Sequence, residues 1–477
     1  MTQKDDLYML FNSYEFLILY LPIVLISYYT LAKKLGSIYV KWFLVLASIY
    51  FYSNWDIRNL PVLLVSIFVN LIFGHLLTEQ KNKWLLALAI AFNLSLLCYF
   101  KYATFLLDNI NLFLESPINI GDIALPLGIS FFTFTQTAYL VDIYRGETKE
   151  YTVSDYLLFV TIFPHLIAGP ILYHKNMIPQ FSDLSRYKLD YKNMVYGVFW
   201  FVIGLAKKVL IADKLAIYVN KVYDGVDAIT TIDAWGGTIA YTLQLYFDFS
   251  GYSEMAIGLG LMLNFDLPLN FNTPYRAYSI IDFWRRWHMT LSAFLKNYLY
   301  IPLGGNRTGH HMRNIMITMF LGGLWHGAGW TFVFWGVLHG AFICINHLWR
   351  KTTYKIPKLF AWFLTFNAVN IAWVFFRADS FNQATTIIRA MFEFSNLVLP
   401  YSKLLGKLNL ECLSHNTILT SKNLIFILIM VVISLVEIKE GLVEKVNEVI
   451  LALLLSAVFL YCFTKLGHIS EFLYFQF

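Results

Sequence analysis

One imidazole in this chain is placed to move protons. His326 lies in Leu321-Gly-Gly-Leu-Trp-His-Gly-Ala-Gly-Trp330, an apolar run rich in glycine. Just upstream, Phe283-Trp-Arg-Arg-Trp-His-Met-Thr-Leu-Ser292 and Pro302-Leu-Gly-Gly-Asn-Arg307 carry a dense basic patch. From Arg276 to Arg313 the bases are Arg276, Arg285, Arg286, Lys296, Arg307 and Arg313, and the acid is Asp282. An imidazole that titrates near neutrality can take a proton from a hydroxyl and return it to a leaving group. Acyl transfer from a thioester to an alcohol needs that service, and a phosphate-bearing acyl donor needs cations at the mouth of the site. The order here is cations first, then His326. The glycines Gly322, Gly323, Gly327 and Gly329 let substrate or another helix come close to the backbone. Composition alone leaves a hydrogen-bonded packing histidine equally open.

His288 is a second candidate, to hold an acceptor or carbonyl oxygen across a cavity; an interfacial helix cap is the plain alternative. His339 reads as structural. His310 and His311 have no nearby acid or cysteine to complete a metal site, so no metal is expected. There is no Gly-x-Ser-x-Gly elbow and no phosphate-binding loop. Asp248, inside Tyr246-Phe-Asp-Phe-Ser-Gly-Tyr252, must find a partner if buried in a membrane, and an arginine of the basic patch is the expected one.

These residues need a scaffold, and composition says which kind. The chain has 477 residues, 58% hydrophobic and 14% charged, with a mean hydropathy of +0.58. Soluble domains carry roughly 25% charged residues, so this chain reads as an all-α, polytopic membrane protein. Its 42 Phe, 31 Tyr and 13 Trp suit interfacial aromatic belts. The net charge of +6 falls in loops between spans, which points to anionic lipid or a phosphorylated substrate and not to nucleic acid. Cys98, Cys344, Cys412 and Cys462 form no close pair and read as packing residues. The apolar run after the acidic Lys4-Asp-Asp6 lacks the flanks of a cleavable signal peptide.

Apolar windows predict spans over 16–32, 39–52, 60–77, 84–106, 195–210, from 235 onward, 315–325, 331–348, 359–376, 423–436 and 449–463. That is roughly eleven at about 20 residues each. Lys33-Lys34 and Lys81–Lys83, separated by two spans, both fall inside by the positive-inside rule, and the acidic loop from Asp108 to Asp122 falls outside. Segments 125–139 and 163–170, studded with Pro, Gly, Ser and Thr, are expected to be broken or re-entrant around an internal cavity. Segment 280–299 reads as one amphipathic interfacial helix. The whole of 1–477 reads as one membrane domain, with 276–313 a basic interfacial segment and 378–422 an extracytoplasmic loop. Within that loop 382–394 carries Ala384, Ile387, Ile388 and Met391 on one face, a candidate docking surface for an extracytoplasmic partner, with a solvated membrane-surface helix the commoner outcome of such a pattern. The Asn306-Arg-Thr308 sequon is taken as chance, and no internal repeat is visible.

At these motifs the chain resembles the membrane-bound O-acyltransferase family, in its bacterial alginate O-acetyltransferase branch. The Phe283–Ser292 run, Tyr300-Ile-Pro-Leu-Gly-Gly-Asn-Arg307 and Gly322-Gly-Leu-Trp-His-Gly-Ala328 carry the likeness. So do Asp248-Phe-Ser-Gly-Tyr-Ser253, Pro126-Leu-Gly-Ile-Ser-Phe-Phe132, Phe163-Pro-His-Leu-Ile-Ala-Gly-Pro170, Leu10-Phe-Asn-Ser-Tyr-Glu-Phe16, Phe375-Phe-Arg-Ala-Asp379 and the terminal Phe472–Phe477 run. The resemblance implies a funnel-shaped bundle of membrane helices, His326 as the essential histidine and His288 as the second polar site residue. It implies transfer of acetyl from a cytoplasmic thioester, acetyl-CoA, toward an extracytoplasmic polysaccharide, in the inner membrane and with an SGNH-type partner. Acetyl-CoA would be a co-substrate; no cofactor is expected. Arg285, Arg286, Lys296 and Arg307, with Trp325 and Asp248, are then the candidate donor and substrate contacts. The related D-alanyl transfer to teichoic acid and, outside the family, a glycolipid transporter are the competing readings.

Overall fold

The computed structural model describes residues 9–121, 123–147, 151–167, 169–226, 229–307, 309–397, 399–400, 414–415, 417–437, 441, 444, 446–466 and 472–473. The acidic start Lys4–Asp6, Asp122, Ala168, Thr308 of the sequon, Cys412 and the last four residues therefore lie outside the described residues, as does the whole of the 401–413 stretch of the expected outer loop.

The described chain is helical, as its composition requires. Its extended pairing is a two-residue parallel contact of Leu399–Pro400 with Ser414–His415. Helices stand at every place where a span was expected. Six are long and apolar enough to cross a membrane: Glu15–Lys34, Ile57–Glu79, Lys83–Asn111, Tyr191–Asp224, Trp330–Trp349 and Lys358–Arg377. Ser37–Ser53, Ser421–Ser434 and Glu448–Phe463 are apolar but have only 17, 14 and 16 residues, short of the roughly 20 that a straight crossing takes. Thr231–Met262 is long, at 32 residues, and carries Asp233, Asp248 and Glu254, while His311–His326 has 16 residues. The eleven expected positions are thus helical, and six of them meet the length and apolarity of a span.

The chain organises into two compact units. The first comprises Met1–Ala206, Gly251–Leu269 and Val443–Gln476; the second comprises Lys207–Ser250 and Asn270–Leu442, with Phe477.

Polar pairs fasten helices inside the first unit. Asn70 and Asn93 exchange amide hydrogen bonds at 3.0 and 2.6 Å. Tyr156 donates to Gln136 (2.8 Å), which donates to Ser66 (2.9 Å). Lys41 and Asp155 form a buried ion pair at 2.6 Å. Segment 125–139 is less broken than its composition suggests. Ile129–Arg145 is one continuous helix of 17 residues, with Pro126 and Gly128 both ahead of it. Gly128 has φ 69°, and a Cβ there would meet the Leu166 carbonyl oxygen at 2.8 Å, so glycine is required on both counts. Segment 163–170 is broken as expected: Phe163–Leu166 is one turn, fully buried.

The second unit holds every candidate site residue. Thr242 donates to Asn370 (2.7 Å) and Asn370 to Thr238 (3.2 Å), which pins the Thr231–Met262 helix to Lys358–Arg377. Tyr275 donates to the Thr242 carbonyl at 2.6 Å and Trp362 to the Tyr275 carbonyl at 2.8 Å, so the loop after residue 270 is tied to the same pair. The expected amphipathic helix over 280–299 is two helices. Ile280–Trp284 ends, the chain turns through Arg285–His288, and Met289–Phe294 continues as a wider π-helical turn to Tyr300. His288 makes the break, because its φ of 41° is left-handed and cannot continue a right-handed helix. Phe381–Phe392 forms as the apolar pattern predicts, but its face is occupied. Ala384, Ile387 and Met391 are buried, Trp235 donates to the Met391 carbonyl at 2.8 Å, and Gln383 donates to the Tyr223 carbonyl at 3.0 Å. The expected docking face is used inside the chain.

Candidate active site

His326 is the last residue of the His311–His326 helix, where the unsatisfied carbonyls attract positive charge. This position suits a group that takes up a proton. The helix is pressed against Trp330–Trp349 by glycine on both sides. A Cβ on Gly323 would meet the Phe332 carbonyl oxygen at 2.5 Å, and one on Gly336 would meet the Met319 carbonyl oxygen at 2.3 Å. Gly323 therefore serves helix contact, not substrate access.

The aromatic residues of three helices surround the imidazole. Its centroid lies 4.8 Å from Trp325, 4.9 Å from Trp335 and 5.2 Å from Phe376, each at a steep interplanar angle of 66°, 86° or 73°. Trp335 stacks on Trp373 at 5.4 Å, which fixes the wall from behind. His326 keeps 5% of its surface exposed, whereas His288 and His339 keep none.

Trp325 links the two candidate histidines, with its ring centroid 4.8 Å from His326 and 6.4 Å from His288. His288 stands edge-on to Phe249 at 4.7 Å, one residue along from Asp248. Its Nδ1 lies 3.0 Å from Asn270 Oδ1. Burial drives His288 down to about 3 from an ordinary 6.5, so the ring is neutral. His339 accepts a hydrogen bond from Trp284 Nε1 at 3.2 Å and stacks on Phe283 at 6.2 Å, a packing role as the sequence suggested.

Asp248 is buried and its ion-pair partner is Lys208, at 2.7 Å. Lys208 also holds Asp213 at 2.9 Å. The sequence points to an arginine of the basic patch; the structure supplies a lysine, which sits in the π-helical Lys207–Ala212 stretch. A buried carboxylate needs a cation with a short, direct approach, and a lysine in the same buried layer supplies it. Within the patch, Arg286 pairs with Asp282 at 2.9 Å and Arg276 with Glu437 at 3.5 Å. Arg285, Lys296, Arg307 and Arg313 are exposed. The structure thus brings His326, Trp325 and His288 together, sets Asp248 beside Phe249 on an adjoining helix, and leaves much of the patch exposed.

Sequence reasoning missed Trp335, Phe376, Lys208 and Asn270. Trp335 and Phe376 sit in apolar helices where aromatic residues are common. Lys208 lies within the apolar window over 195–210, and Asn270 carries no motif chemistry of its own.

A family model for MBOAT, the membrane-bound O-acyltransferase family, matches residues 49–380, a stretch that includes all these site residues. The chain belongs to that family and is a multi-pass membrane O-acyltransferase. Among curated relatives it is 40% identical to the peptidoglycan O-acetyltransferase of Helicobacter pylori, over 98% of each chain. It is 42% identical to the probable alginate O-acetylase AlgI of Pseudomonas aeruginosa, over 81% of this chain and 75% of that one. The teichoic acid D-alanyltransferase of Streptococcus thermophilus is more distant, at 26% identity over 52% of this chain and 68% of that one.

Proposed function

We propose that this protein is an O-acetyltransferase of the bacterial inner membrane that moves acetyl from cytoplasmic acetyl-CoA toward the hydroxyls of an extracytoplasmic polysaccharide. The observation that carries this reading is His326 at a helix C-terminus, walled by Trp325, Trp335 and Phe376 and joined through Trp325 to His288. His326 acts as general base: it takes the proton of the accepting hydroxyl as the oxygen attacks the thioester carbonyl, then gives that proton to the departing thiolate. His288 orients the reacting groups. Arg285 and Arg286, with Lys296 and Arg307, receive the donor's phosphates; exposed cations suit a ligand that arrives from water, and the guanidinium fork suits phosphate. An SGNH-type partner completes transfer to the polymer.

Relatedness favours acetyl over D-alanyl, because the O-acetylating relatives are at 40–42% identity over most of the chain and the D-alanylating ones are at 26–27% over about half of it. Membership of an acyltransferase family removes the ground for the transporter reading. The test is His326→Ala in cells and in vesicles supplied with labelled acetyl-CoA. Loss of polymer acetylation by about 10²-fold or more, at unchanged membrane level, is the expected result. Retained acetylation overturns the assignment.

A further inference from the structure

The amide of Asn270 is oriented by its neighbours. The Thr290 backbone N–H points at Asn270 Oδ1 from 3.4 Å, the Thr290 hydroxyl donates to it at 2.9 Å, and His288 Nδ1 lies 3.0 Å away. A backbone N–H can only donate, so the shared atom is the amide oxygen, which can only accept. His288 Nδ1 must then carry a hydrogen, and in a neutral ring the lone pair falls on Nε2. The main chain locks the same contact, because the Met289 N–H donates to the Asn270 carbonyl at 2.9 Å. His288 itself is held at φ 41°, a conformation that costs roughly 1–2 kcal/mol in a residue with a Cβ, and such strain gathers at functional positions. His339 shows the opposite case in the same unit. The Trp284 indole can only donate, so His339 Nδ1 accepts and its proton sits on Nε2.

We propose that Asn270 is a positioning residue that fixes His288 as the Nδ1–H tautomer, so that Nε2 accepts a hydrogen bond from an O–H or N–H of the bound substrates and does not donate to the thioester carbonyl oxygen. This rests on the O-acyltransferase reading of the site. Two sources offer that donor chemistry: a second hydroxyl of the sugar acceptor, or an amide N–H of the pantetheine arm of acetyl-CoA. No bond breaks at His288; it orients, while the proton transfer stays with His326.

The full chain, reconstituted in lipid with isotope-labelled histidine, tests the tautomer by solid-state NMR. The resonance that disappears in His288→Asn should report a protonated Nδ1 and a bare Nε2, and the ring should stay neutral down to about pH 5. In Asn270→Asp the new carboxylate should move the ring's titration up by about 1–3 pH units, and the acetylation rate relative to the parent should fall progressively as pH is lowered. Asn270→Ala should release the tautomer and raise the KM more than it lowers kcat. A rise in KM for acetyl-CoA identifies the pantetheine amide, and a rise for the acceptor identifies the sugar hydroxyl. An Nε2–H signal for His288 in the parent, or an Asn270→Ala variant whose His288 tautomer and KM are both unchanged, overturns the proposal. A parent protein that transfers no acetyl overturns the functional reading instead, and the NMR result then stands by itself.

Discussion

At the scale of single residues, His288 carries two costs that a packing residue would not need. Its backbone sits in the left-handed region, and its ring is buried to the point that burial holds it at about 3. The pH consequence follows from the direction of that shift. In the unfolded chain the ring takes a proton near its ordinary 6.5, but in the folded chain it does so only near 3. Above about pH 6.5 neither state binds the proton and His288 adds no pH dependence. As pH falls below that value the unfolded state gains a proton that the folded state refuses, so stability is lost, by about 2 kcal/mol at pH 5. His165 and His174, both buried and both held near 4, pull the same way. His288→Asn should remove one share of this loss, because Asn tolerates a left-handed backbone and does not titrate. Thermal melting of the solubilised protein between about pH 5 and 8 checks it: the variant's melting temperature should fall less on acidification than the parent's. The candidate histidines were legible in the sequence from their setting among glycines, bases and aromatics. Asn270 was not, because its importance lies in which atom of its amide faces His288, and Lys208 was not, because its partner comes from a different helix.

Among the elements, helix positions were legible because long apolar runs have few ways to fold in lipid. Helix interruptions were harder to read. Pro126 and Gly128 look like breaks within a span and prove to be the lead-in to an intact helix, while the real break at Arg285–His288 is marked by no proline or glycine. The glycines near His326 looked alike in sequence, yet the structure separates them. A Cβ on Gly336 would lie 2.3 Å from the Met319 carbonyl oxygen and 2.9 Å from Gly323 Cα, all backbone. One on Gly329 would lie 3.4 Å from the nearest Phe332 atom, an ordinary contact. Gly336→Ala must therefore push His311–His326 away from Trp330–Trp349, at about 1–3 kcal/mol, and must carry His326 and Trp335 apart as it does so. Gly329→Ala should cost under about 1 kcal/mol. Melting temperature and acetylation rate measured on both variants would check this: Gly336→Ala should lose both, and Gly329→Ala should keep most of each.

For the whole molecule, the charge of its loops decides which way the chain faces. Cations of short loops are retained inside, so Lys81–Lys83 is expected on the cytoplasmic side, the side from which the proposed acetyl-CoA would come. Between that loop and Glu115 lies the Lys83–Asn111 helical segment of 29 residues, about 44 Å at 1.5 Å per residue, more than the roughly 30 Å of the hydrocarbon core. Asn82 and Glu115 are exposed at its two ends. In a background with Cys98, Cys344, Cys412 and Cys462 replaced by Ser or Ala, Asn82→Cys should react with a membrane-impermeant maleimide only after the cytoplasmic face is opened. Glu115→Cys should react in intact spheroplasts. Labelling of both from one side would mean that this segment does not cross, and would put the basic loops and the thioester donor on opposite faces. The same loop charge would then no longer orient the spans that follow, and delivery of acetyl from inside to outside would lose its physical basis.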